Sequence, residues 1–90
     1  MYYVYMIKNN ANKLYIGITK NIDKRIDTHN ANQGANFTKN KSIFGLVFQE
    51  KHDTLKEARQ REIQLKKWRR EKKEVLIKRY LLGLETKLAI

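Results

Sequence analysis

Tyr2-Tyr3-Val4-Tyr5-Met6-Ile7 and Leu14-Tyr15-Ile16-Gly17-Ile18-Thr19 are the two runs on which the fold turns. Both are dense in aromatic and β-branched residues, which suit a pleated, half-buried surface. Asn9-Asn10-Ala11-Asn12 between them is turn material, because short amide side chains bond back to the local backbone. The pair therefore reads as an antiparallel hairpin. Strand alternation sets Tyr3, Tyr5 and Ile7 on one face, and Tyr15, Gly17 and Thr19 on one face of the second strand. If those faces coincide, two phenols stand together and Gly17 leaves an open space beside them. For an isolated pair of tyrosines, ordinary aromatic packing gives the same pattern.

Downstream of the hairpin the pattern becomes helical. Asn21 is placed to cap a helix running to about His29, with Ile22 and Ile26 on one face. Residues 30–41 are polar, contain Gly34 and read as a loop. Ile43 to Gln49 reads as a third strand. Thr54 followed by Glu57 has the capping-box spacing and opens a long helix to about Trp68. Arg69 to Lys73 is a basic run suited to a turn. A last helix from Lys72 to Leu82 offers Val75, Leu76, Tyr80 and Leu82 for burial. The expected fold class is α+β, a three-stranded antiparallel sheet with helices packed on it in the order ββαβαα. Ninety residues suit one domain spanning 1–90.

Composition limits the functional classes. Twenty Lys+Arg against nine Asp+Glu give a formal net charge of +11, so a polyanion is the natural partner. With no cysteine, disulfides and thiolate-held metals are excluded. The apolar start, Met1 to Ile7, is too short for a signal peptide or membrane span. A soluble, cytoplasmic protein that makes no use of a membrane is expected.

Three side chains break the patterns around them. Ile22, Arg25, Ile26 and His29 follow the spacing of an inward helical stripe, yet two of the four are polar. Arg25 can snorkel, and His29 can serve a helix C-terminus. Leu55, Ala58, Glu62 and Leu65 form a second stripe with a carboxylate in it, while Ile63 points elsewhere. An inward carboxylate needs a partner, either a cation such as Arg25 or a metal ion.

Tyr3-Val4-Tyr5, Tyr15-Ile16-Gly17, Arg25, His29 and Glu62, in that order, resemble the GIY-YIG nuclease superfamily. The similarity is greatest to small stand-alone bacterial members related to the N-terminal nuclease domain of the bacterial excinuclease. It covers Tyr2 to about Tyr80. The resemblance implies a metal-dependent DNA endonuclease of low sequence specificity that nicks DNA or acts on structured or damaged DNA, in DNA repair or recombination. By the family pattern, Tyr5 activates the attacking water and Tyr15 helps position water or base. Arg25 contacts the scissile phosphate, His29 assists the tyrosine, and Glu62 is the acidic ligand of one Mg²⁺ or Mn²⁺. Tyr3 replaces the glycine that gives the first motif its name. Gly34-Ala35-Asn36-Phe37-Thr38 resembles a loop motif of the small members, with Asn36 where they often carry a basic residue.

Cationic charge from Arg25 and the metal is expected to lower the Tyr5 pKa. Lys20, Lys24, Lys39, Lys41, Lys66, Lys67, Arg69 and Arg70 are candidates for nucleic-acid backbone contacts, DNA first and RNA as the other polyanion. A nucleic-acid-binding module that keeps the fold and does not cut is the alternative of another class. A monomer or weak homodimer is expected. Trp68, Leu81, Leu82 and Leu84 could form a dimer contact, though core is the default for them in so short a chain.

Overall fold

The computed structural model describes residues 1–31 and 43–87. Strand β1 (Tyr2–Lys8) is followed by β2 (Leu14–Thr19), α1 (Ile22–Ala31), β3 (Gly45–His52), α2 (Leu55–Lys67) and α3 (Arg70–Leu81). The sheet is antiparallel with strand order β2-β1-β3, so β1 is central. The expected fold class and element order are what the chain adopts.

Local chemistry accounts for the joints. Asn12 sits at φ 65°, a left-handed turn position that asparagine tolerates. The Asn9 side chain accepts from the backbone of Ala11 (3.1 Å) and Lys13 (2.9 Å), closing the hairpin. Asn21 Oδ1 accepts from Lys24 N (3.1 Å), and Thr54 Oγ1 from Glu57 N (3.2 Å), so both expected caps form.

Several boundaries differ from expectation. Helix α1 continues to Ala31, and β3 begins at Gly45 and continues to His52, because β1 offers pairing partners as far as Tyr2. Of the Arg69–Lys73 run only Arg69 belongs to the break between helices, as the extended N-cap; α3 starts at Arg70, where an i,i+4 pair to Glu74 (2.7 Å) supports its first turn. The Gly34–Thr38 motif, Lys39 and Lys41 lie outside the described residues.

The sheet is covered on both faces. On one, Tyr5, Ile7 and Phe44 pack against Ile22 and Ile26 of α1. On the other, Val4, Met6, Ile16 and Phe48 meet Ala58 and Leu65 of α2 and Leu76 and Ile77 of α3. Helix α3 therefore presents Leu76 and Ile77 inward, with Tyr80 partly buried, and leaves Val75 and Leu82 exposed. Trp68 is half-buried against this core, but Leu81, Leu82 and Leu84 are exposed and do not join it.

The α2 stripe also differs from the sequence reading. Its buried residues are Ala58, Arg61 and Leu65; Leu55 is exposed and Glu62 lies at the stripe's margin. Arg61 is admitted because β3 supplies a counter-charge at depth. Its Nε and Nη2 donate to the two oxygens of Glu50 (2.9 and 3.2 Å), which is itself only 4% exposed. The remaining valences are filled as well. Arg61 donates to Gln64 (2.9 Å) and to the Thr86 carbonyl (2.7 Å), Thr86 Oγ1 donates to Glu50 (3.0 Å), and His52 Nε2 lies 3.0 Å from Glu50 Oε1. This network joins β3, α2 and the segment after α3.

Removing one partner of such a pair strands the other in a poor solvent. Arg61→Ala is accordingly expected to cost about 3–5 kcal/mol in chemical denaturation. The double variant Arg61→Met/Glu50→Leu is expected to recover most of that loss, since it buries no orphaned charge.

Candidate active site

The hairpin register sets the centre of the site. Tyr5 pairs with Gly17 and Ile7 with Tyr15, so Tyr5 and Tyr15 share a face on a diagonal. Their ring centroids are 6.3 Å apart. The space over Gly17 is not open, as alternation alone suggested: the Tyr5 ring fills it. A Cβ at position 17 would stand 2.6 Å from the Tyr5 hydroxyl and 2.8 Å from Cζ. Only glycine admits the phenol there, and Tyr5 is in consequence 1% exposed.

Helix α1 brings the polar side chains. Arg25 is exposed on the helix, and its Nε donates to the Tyr5 hydroxyl at 3.4 Å. One turn further on, His29 is half-buried, with its ring 5.0 Å from Tyr15 and edge-on to Phe44 at 4.7 Å. The adjacent Asn30 bonds both backbone groups of Phe44, donating to its carbonyl (3.0 Å) and accepting from its N–H (2.8 Å). Asn30 thus fixes the wall against which His29 rests. Sequence patterning assigns Asn30 to a loop and misses this contact; an amide one residue after a candidate site histidine is the available signal.

Glu62 arrives from the opposite layer. Helix α2 contacts both β1 and the edge strand β2, and the Glu62 carboxylate is close enough for its charge to oppose ionisation of Tyr5. Its side chain is 16% exposed, and its ion-pair partner is Lys66 at 3.1 Å rather than Arg25. Of the suggested alternatives, a salt bridge thus exists, with a different cation. Among the described residues no group of three or more His, Cys, Asp or Glu side chains gathers to hold a metal ion. A cation here would rely on Glu62, with water and substrate oxygens completing its shell. That composition suits a hard ion such as Mg²⁺, which keeps several waters.

Arg25 acts on Tyr5 in the expected direction, but burial outweighs it. Burial, the largest influence, raises the Tyr5 pKa, and the charges of Tyr15 and Glu62 add to it. The Arg25 hydrogen bond and charge pull the other way but do not prevail. The phenol is therefore protonated at neutral pH without a further cation. Burial, and then the Arg25 charge, lower the His29 pKa, so this imidazole is neutral at pH 7.

The proposed backbone contacts divide by what already engages them. Lys20 lies over the Tyr2 ring, 5.2 Å from its centroid. Arg70 is occupied by Glu74 and by the Asn12 carbonyl (2.8 Å) and side chain (3.1 Å), which ties α3 to the hairpin turn. Lys24, Lys67 and Arg69 are exposed and form no ion pair among the described residues.

A three-stranded sheet with two tyrosines on its hairpin, an arginine on the following helix and a glutamate on the next is the architecture of a GIY-YIG protein. The chain belongs to this nuclease family: it matches the family model described as the GIY-YIG catalytic domain over residues 1–75. Among its relatives, a UPF0213 protein of Staphylococcus saprophyticus is 45% identical over 84% of this chain and 93% of its own. A UPF0213 protein of Staphylococcus aureus is 40% identical over 86% and 94%. In structure, the chain resembles a UPF0213 protein from Bacillus halodurans solved by NMR in solution. The TM-score is 0.56 at 33% identity, over 87% of this chain and 84% of that one. Among the described residues, no helix is long and apolar enough to cross a membrane.

Two outcomes follow from this geometry. Gly17→Ala is expected to push the Tyr5 ring off its seat at a cost of about 1–3 kcal/mol, the usual range for overpacking, measured by denaturation. In NMR titration, His29 is expected to titrate below the ordinary 6.5, and Arg25→Ala to move it back towards that value. Because the fold disfavours the charged imidazole, the stability linked to it is present above pH 6.5 and lost as pH falls towards the folded pKa.

Proposed function

We propose that this protein is a metal-dependent endonuclease that hydrolyses phosphodiester bonds in DNA, and that Tyr5, Tyr15, Arg25, His29 and Glu62 form its active site. Membership of a nuclease family gives the reaction type. The single observation that carries the site is the Tyr5 hydroxyl, seated over Gly17, bonded to Arg25 and within reach of the Glu62 charge. The net charge of +11 supports a nucleic acid as substrate.

In this mechanism Arg25 makes charge-assisted contacts to the non-bridging phosphate oxygens. Glu62 holds the divalent cation, which when bound supplies positive charge to the phosphate and its leaving oxygen. Tyr5 first gives its own proton to solvent; as phenolate it then takes a proton from the attacking water while the water oxygen bonds to phosphorus. The bond to the leaving oxygen then breaks, and that oxygen acquires a proton from solvent. Burial holds Tyr5 in its phenol form, so added positive charge is a precondition of its acting as base. Tyr15, 40% exposed and 6.3 Å from the Tyr5 ring, offers a solvent-facing phenol by which water or a base can be positioned. Neutral His29 backs Tyr15 and can accept a hydrogen bond. Exposed Lys24, Lys67 and Arg69 are the proposed backbone contacts, which carry no base information, so sequence specificity is low. The proposed unit of function is the single domain 1–90, with a role in DNA repair or recombination.

Incubation of supercoiled plasmid with Mg²⁺ or Mn²⁺ is expected to yield nicked circles. Arg25→Ala and Glu62→Ala are each expected to slow the reaction by roughly a hundredfold or more, as loss of a transition-state charge contact does. Equal rates for wild type and both variants would defeat the assignment. Binding without nicking would favour a module that keeps the fold and does not cut.

A further inference from the structure

Lys66 already engages the carboxylate on which a cation bound to Glu62 would rely. Its ammonium is 3.1 Å from the carboxylate; the Lys66 side chain is 54% exposed and that of Glu62 16%. The lysine is therefore the more exposed partner of the pair. Lys66 and Arg25 together outweigh the single charge of Glu62, so a divalent ion arriving alone enters a site already net positive. An i,i+4 helix pair is also weak, at about 0.3–0.5 kcal/mol, and the Lys66 half of this one is exposed. Lys66 can thus be drawn away by a competing anion at little cost, and its stem is long enough to follow one.

We propose that Lys66 is a placeholder cation that couples metal admission to phosphate binding. In the free protein it neutralises Glu62 and opposes the divalent ion. When a nucleic-acid phosphate arrives, Lys66 transfers to it, and the freed carboxylate takes the metal. Metal and nucleic acid then bind with positive coupling, and by linkage each tightens the other equally. The device limits metal loading in the absence of substrate. It rests on the reading of Glu62 as metal ligand.

The test is Mn²⁺ binding, followed by electron paramagnetic resonance of the free ion, with and without a short DNA duplex. The parent is Tyr5→Phe, which removes the proposed base, and Lys66→Met and Glu62→Gln are each added to it. Circular dichroism checks that each variant keeps its helices. Without duplex, Lys66→Met is expected to bind Mn²⁺ roughly fivefold to tenfold more tightly than its parent, as for removal of a unit charge beside a divalent ion near the surface. The duplex is expected to tighten Mn²⁺ binding in the parent and to do so less in Lys66→Met. If Lys66→Met matches its parent while Glu62→Gln loses binding, the placeholder is refuted and the metal site stands. If Glu62→Gln binds as its parent does, the metal-site reading itself fails.

Discussion

The approach of the Tyr5 ring to the bare backbone at Gly17 is the contact on which the site depends. It requires β1 and β2 to pair in one register, because a slip of one residue would turn Tyr5 to the α2 face. It also requires a residue without a Cβ. With both conditions met, the phenol is buried, and its hydroxyl accepts a hydrogen bond from Arg25 on the covering helix. A buried side chain is thus joined to a polar group at the surface.

The two faces of the sheet divide the labour. Helix α1 covers one side thinly, with none of its residues fully buried, and keeps Arg25 and His29 near solvent. The opposite side holds the larger core and the Glu50–Arg61 network. A hydrophobic contact resists separation but is poorly directional, whereas a two-pronged guanidinium–carboxylate bond fixes orientation. Arg61 thereby sets the rotation of α2, and Glu62 is the next residue along it. A site assembled from both layers is held rigid by the layer farther from its chemistry.

Charge in the site is poised rather than settled. Tyr5 is held in its neutral form by burial, His29 is neutral for the same reason, and Glu62 is covered by Lys66. Each of these states shifts when positive or negative charge is added from outside.

Fold class and element order were legible along the chain, because period-2 and period-3.6 patterns depend only on near neighbours. So were the caps at Asn21 and Thr54, which are local, and the family resemblance that the order Tyr5, Tyr15, Arg25, His29, Glu62 carries. Packing decided what lies across space. It put Arg61 rather than Glu62 deep in the α2 stripe, because Glu50 on β3 supplies the counter-charge, and no reading of one helix shows its partner. Likewise it gave Glu62 the cation Lys66, made Asn30 the clamp on Phe44, and left Leu81, Leu82 and Leu84 outside the core. The space beside the paired tyrosines was legible as the mark of Gly17. That Tyr5 itself fills it, and is raised in pKa by doing so, followed only from the packing of β1 on β2 under α1.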